Sequence, residues 1–177
     1  MQSNCKKEQI LLIMKELIIY LSWKYEGNIW KIYEFLKTYK TVAQAKIDEV
    51  LNELKQKGIK YITAFDDNFP EILKNYRYSP YVLFYKGNIK ILKLLETQNK
   101  NEVFIEWDFE NKKILFTSLN SKGKSKIIYI LDCGFNHLNK KINYKKELYI
   151  TQFPFQTLPS KINQESSEKL LNCLFTA

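Results

Sequence analysis

Apolar positions recur at two different periods along this chain, and the change comes at Gly58. Before it the spacing is helical. Residues Gln9 to Tyr25 carry apolar side chains so densely that the pattern predicts a helix buried on more than one side, with Gly27 and Asn28 as its stop. Ile29, Ile32, Tyr33 and Leu36 then fall at i, i+3, i+4 and i+7, and Ile47, Val50, Leu51 and Leu54 repeat that spacing. A compact bundle of three helices is expected over residues 1–58.

Beyond Gly58 the pattern turns extended. The stretch "IKYITAF" predicts a strand, and "DDNFPEILKNY" a capped turn opening a helix, with Asp67 or Asn68 as cap, Pro70 in the first turn, and Ile72, Leu73 and Tyr76 facing inward. In "YRYSPYVLFYKGN" a strand starts at Pro80, which has no amide hydrogen to offer, runs through the β formers Val82 to Tyr85 and stops at the turn residue Gly87. Val82 and Phe84 are assigned to the core, and Leu83 and Tyr85 to a neighbouring element. A short helix is expected at "IKILKLLE". Four further strands are expected at "EVFIEW", "KILFTSL", "KIIYILD" and "ELYIT". A parallel crossover takes a dozen residues or more, usually with a helix, so the short links among the first three predict hairpins. "FPFQTLPSKIN" reads as loop, and "QESSEKLLNCLF" as a closing helix that buries Leu170, Leu171, Leu174 and Phe175.

Composition fits a folded, soluble protein. The apolar runs "ILLIM" and "LIIYL" are broken by Lys15 and Glu16, well short of the roughly 20 apolar residues that cross a bilayer. No signal-peptide order precedes them, so cytoplasm is the expected location. Cys5, Cys133 and Cys173 are isolated from one another and from the one histidine, His137, and read as core or incidental thiols rather than a disulfide framework or a zinc site. The net charge is +9, and 27 of the 28 basic residues are lysine, Arg77 being the exception. Its distribution is uneven. Between Asn111 and Lys146 there are nine lysines against one acid, Asp132, so a net +8 lies in that segment. Such concentration is the pattern of an electrostatic footprint for a polyanion.

Catalytic constellations are missing from the pattern. The five glycines form neither a dinucleotide fingerprint nor a P-loop, and "SKGKS" at 121–125 reads as a lysine-bearing hairpin turn. His137 has no identifiable partners, and Glu106, Asp108 and Glu110 read as the outer face of a hairpin. The expectation is a non-enzyme with no cofactor and no metal. Lysines interleaved with aromatics suit phosphates and unpaired bases, and the absence of arginine from the basic segment predicts binding without sequence preference.

The ordered run "GIKYITAFDDNFPEILKNYRYSPYVLFYKGN" resembles the entry segment of the DNA-processing protein A family (DprA/Smf). Phe69-Pro70 stand for that family's Tyr-Pro, and Pro80, Val82, Leu83, Phe84, Lys86, Gly87 and Asn88 match its strand signature. "KIIYILDCGFNHLN" resembles the family's late strand and turn, and "LYITQFPFQTLP" its Ile-Ser-Glu-Tyr-Pro segment, with Gln152 in place of the glutamate. The resemblance implies a Rossmann-like domain that binds single-stranded DNA and passes it to the recombinase RecA during transformation, without catalysis. The family's Gly-Ser/Thr-Arg turn, its Ser-Gly-x-Ala-x-Gly-Ile-Asp motif and its Arg-Asn-Arg motif are absent; "LFTSLN" around Ser118 stands where the Ser-Gly strand end would be.

The expected fold is therefore α/β: a small N-terminal helical domain (1–58), then a reduced Rossmann-like domain with a mixed sheet (59–177). The DNA-binding candidates are Lys112, Lys113, Ser118, Lys122, Lys124, Lys126, Asn136, His137, Lys140 and Lys141. Expected partners are single-stranded DNA, RecA and a second copy of the chain, with no membrane. The competing reading is a protein–protein interaction module that has lost DNA binding, contacting its partner through the helical domain or the Tyr/Phe-rich entry segment.

Overall fold

The computed structural model describes residues 2–77, 79–97, 103–108, 113–119, 125–138, 141–155 and 161–176. Helices α1 (Gln2–Lys24), α2 (Ile29–Lys37) and α3 (Gln44–Gln56) form the first segment. The break after α1 is made by backbone geometry: Gly27 adopts φ +68° and its N–H donates to the Ser22 carbonyl at 2.8 Å. Asn28 then starts α2, its side chain accepting from the Lys31 N–H at 3.1 Å.

Burial on several sides of α1 is confined to its second half. Ile18, Ile19, Tyr20 and Leu21 are buried, whereas Ile10, Leu11, Leu12 and Ile13 are exposed, Ile10 by 62%. The reason is length. At 1.5 Å per residue α1 is about 34 Å long, against about 14 Å for α2 and about 20 Å for α3, so its first turns outrun both partners.

Strands β1 (Lys60–Thr63), β2 (Val82–Gly87), β3 (Val103–Asp108), β4 (Lys113–Leu119), β5 (Ser125–Ile130) and β6 (Glu147–Thr151) form one mixed sheet in the order β1-β2-β6-β5-β4-β3. Every neighbouring pair is antiparallel except β5–β6. The links β3–β4 and β4–β5 are hairpins, as their shortness requires. The single parallel connection, residues 131–146, contains a 3-10 turn at Phe135–His137. Helices α4 (Glu71–Lys74), α5 (Lys90–Thr97) and α6 (Lys161–Thr176) complete the chain.

Both faces of the sheet are covered over β2, β6 and β5. On one, Val82, Phe84, Tyr149, Leu131 and Phe135 pack with Ile18, Ile32, Ile47, Val50 and Leu54 of the first three helices. On the other, Leu83, Ile128, Ile130, Leu148 and Ile150 pack with Leu73, Ile91, Leu92, Leu170 and Leu174. This two-sided burial explains why β2 reads as an unbroken apolar run, with Val82 and Phe84 facing the helical segment and Leu83 facing away.

Two local expectations are corrected. Pro70, not Asp67 or Asn68, is the N-cap of α4, with no side-chain cap bond; Asp66 instead closes the preceding turn. The last helix begins earlier, at Lys161, inside the segment read as loop. It buries Leu170, Leu171 and Leu174, while the Phe175 side chain lies outside the described residues.

Candidate nucleic-acid interface

The parallel pair β5–β6 and its connection carry most of the described basic charge of the 111–146 segment. Glu147, at the start of β6, is buried and accepts from the Asn143 N–H at 2.9 Å. The Tyr149 hydroxyl donates to the same carboxylate at 3.4 Å, and its ring stacks on that of Tyr129 with centroids 4.3 Å apart. Burial, then the neighbouring Tyr129 and Glu147, hold the Tyr149 phenol well above the usual tyrosine range, so it stays protonated and donates. Asn143 in turn accepts from the Lys145 N–H at 3.1 Å, and the Lys146 carbonyl accepts from Ile127 at 2.8 Å. This clamp leaves Lys141, Lys145 and Lys146 exposed while the adjacent acid faces inward.

The candidates from sequence fall at two ends of β5. Ser118 on β4 pairs directly with Lys126 at the start of β5, and Lys126 is half-buried. Lys113 begins β4 opposite Asp108. Asn136 and His137 lie past the other end of β5, roughly five residues or about 16 Å of strand away. Asn136 is exposed and its side-chain amide donates to the Phe155 carbonyl at 3.3 Å; His137 belongs to the 3-10 turn and its side chain is outside the described residues. Lys112, Lys122, Lys124 and Lys140 also lie outside the described residues. The structure thus joins Ser118 with Lys126 and separates both from Asn136.

What joins Asn136 comes from elsewhere in the chain. The Phe135 N–H donates to the Pro154 carbonyl at 3.3 Å, which lays the 153–155 segment beside the turn. Lys57, following α3, places its Nζ 4.7 Å from the Phe155 ring centroid and 2.8 Å from the Glu53 carboxylate. Lys86, near the end of β2, places its Nζ 5.6 Å from the Phe135 centroid. Burial, then the charge of Lys57, lower the Lys86 amine below the usual lysine range. Phe155 also lines a cleft of about 290 Å³ with Trp23, Lys24, Glu26, Phe153 and Pro154. There the Lys24 amine sits among the rings of Tyr25 at 5.3 Å, Phe35 at 5.8 Å and Tyr20 at 6.0 Å.

Residues 57, 86, 135 and 155 share no spacing that a linear pattern would reveal. One signal was legible: Lys86 continues the Val82–Phe84 face at period two, so a lysine extends an apolar stripe. Chemically the arrangement offers cations, amide donors and aromatic faces. Among the described residues no group of His, Cys, Asp and Glu is placed to hold a metal ion, and no helix is long and apolar enough to cross a membrane. Cys173 is buried, and that burial pushes its thiol up to about 11. No family model, curated protein or solved structure matches the chain.

Proposed function

We propose that the chain is a non-catalytic, cytoplasmic single-stranded DNA-binding protein, a shortened relative of the DNA-processing protein A family that protects single strands or passes them to a recombinase. The observation that carries this reading is the lysine set around the β5–β6 connection. Lys141, Lys145 and Lys146 are exposed, Lys126 stands nearby, and the neighbouring acid Glu147 is buried. A three-layer fold around a mixed sheet is compatible with a reduced Rossmann-like unit. The family-like entry strand supports the kinship, while the site itself rests on charge.

Fluorescence anisotropy with single- and double-stranded oligonucleotides across a salt series tests it. Charge-driven binding to a single strand gives a log–log salt slope of about −0.7 per neutralised phosphate. Lys122→Glu, Lys124→Glu and Lys126→Glu together should weaken binding more than about tenfold and flatten that slope. Affinity indifferent to salt would count against the proposal.

The second reading, a protein-interaction module, is favoured by one specific observation: the exposed apolar turn Ile10–Ile13 at the projecting end of α1. Recovery of a partner after nuclease treatment, with no oligonucleotide shift, would select it.

A further inference from the structure

We infer that Lys57 and Lys86 form a phosphate-binding pair for a single nucleic-acid strand, with Phe155 as the stacking face for the adjoining base. The inference rests on the nucleic-acid reading above and adds a contact formed largely outside the lysine-rich segment.

Lys86 is the starting point. Its stem follows Val82 and Phe84 along the face that packs against the first three helices, and its amine lies over Phe135. Among the described residues no carboxylate lies within ion-pair distance of that amine. A half-buried cation held beside a second cation is costly until a counter-charge arrives. The second cation, Lys57, has one acid, Glu53, at 2.8 Å. Two lysines and one carboxylate leave a single positive charge uncompensated, which matches the single negative charge of a phosphodiester.

The surroundings extend the match from phosphate to nucleotide. The Asn136 amide uses one N–H on the Phe155 carbonyl and keeps a second donor. One side of Phe155 meets the Lys57 amine, and its ring also borders the cleft shared with Trp23, Lys24 and Pro154. A planar base entering that cleft stacks without sequence readout, and Glu26 at its wall accepts a base N–H. A duplex keeps its bases inside the helix and has nothing to place there. The geometry therefore favours an unpaired strand over duplex DNA.

The test uses the full chain with two probes, a short oligothymidine and inorganic pyrophosphate. The double variant Lys57→Gln/Lys86→Gln should weaken oligothymidine binding about tenfold and lower the salt slope by about 1. Phe155→Leu, which keeps bulk but loses the ring, should weaken it about tenfold while leaving the slope alone. On the unaltered chain, pyrophosphate should shift the amide resonances of Phe135, Asn136 and Lys86 in nitrogen-15 NMR spectra, a readout independent of whether the variants fold. Oligothymidine binding that is intact in the double variant, with no pyrophosphate shift at these residues, overturns the pair and leaves the broader reading standing. Pyrophosphate shifts at the pair with no oligothymidine binding by the unaltered chain overturn the nucleic-acid reading and its stacking half, and identify a free-phosphate site.

Discussion

Asp66 ties the projecting helix to the sheet, and removing its charge should produce a defined, pH-dependent loss of stability. Its carboxylate accepts from Lys15 Nζ at 2.7 Å, from the Thr63 N–H at 2.7 Å and from the Thr63 hydroxyl at 2.7 Å. Thr63 is fully buried, so its two donors have no water to turn to. Burial alone would raise the Asp66 carboxyl. The Lys15 and Thr63 hydrogen bonds outweigh that and hold it below its ordinary 3.8. The two Thr63 bonds contribute about 1 kcal/mol each, and the half-exposed Lys15 pair about 0.5–1 kcal/mol. Asp66→Ala should therefore cost about 2–3 kcal/mol, seen as a urea midpoint lower by about 1–1.5 M at an m-value of about 2 kcal/mol/M. Asp66→Asn retains one acceptor oxygen and should lose about half as much. Because the folded value is depressed, the charge contributes fully above the unfolded value and is lost as pH falls through the folded one. The gap between the natural chain and Asp66→Asn should thus be flat at neutral pH and narrow on acidification below about pH 4. A gap equal at pH 7 and at pH 3 would refute the assignment of charge-dependent bonds to Asp66.

Two further predictions concern backbone and buried hydroxyl. Gly87 adopts φ +107°, and a Cβ there would collide with the Glu147 carbonyl oxygen and reach 3.0 Å from Leu148 Cα; Gly87→Ala should cost about 3 kcal/mol or more by denaturation, and a cost under about 1 kcal/mol contradicts it. Ser22 is buried with no partner for its hydroxyl among the described residues; Ser22→Ala should be neutral or up to about 1 kcal/mol more stable in the same assay, and a clear loss would mean that the hydroxyl is bonded.

Elements whose stability is local were legible in the sequence, and contacts made at a distance were not. Helices α2 and α3 follow from spacing alone, because the residues that face the core recur at the helical period, and β2 follows from its run of β formers between Pro80 and Gly87. The hairpins β3–β4 and β4–β5 follow from connection length. The fate of Ile10–Ile13 did not follow, since spacing gives the apolar face of α1 but not the length of what covers it. Nor did the role of Asp66, whose acceptors face Thr63 and a lysine fifty-one residues away. Within the candidate interface, charge counting found Lys126 and Lys141 and resemblance pointed to Asn136. Resemblance matched Lys86 only as part of a strand signature, and neither gave Lys57, Lys86 or Phe155 a binding role; Phe155 with Lys57 and Phe135 with Lys86 are brought side by side because residues 153–155 lie along the 3-10 turn.

The topology bears on how this protein would hold a phosphate. In doubly wound sheets a strand feeds a glycine turn and a helix, whose unpaired N–H groups and dipole cradle the anion at short range. Here β3, β4 and β5 are joined by hairpins, and the connection after β5 forms a three-residue 3-10 turn among its described residues. Among the described residues no backbone cradle of that kind arises from them. Anion binding then falls to side chains, and to lysines, whose ammonium groups act as mobile point charges rather than as fixed bidentate forks. Such binding is long in reach and easily screened at the Debye length of about 8–10 Å in physiological salt. Geometric selectivity has to come from the groups that are held in place, which are the half-buried Lys86 and the rings around it. A diffuse, salt-sensitive lysine field would recruit a strand, and the Lys57–Lys86–Phe155 cluster would fix one nucleotide of it.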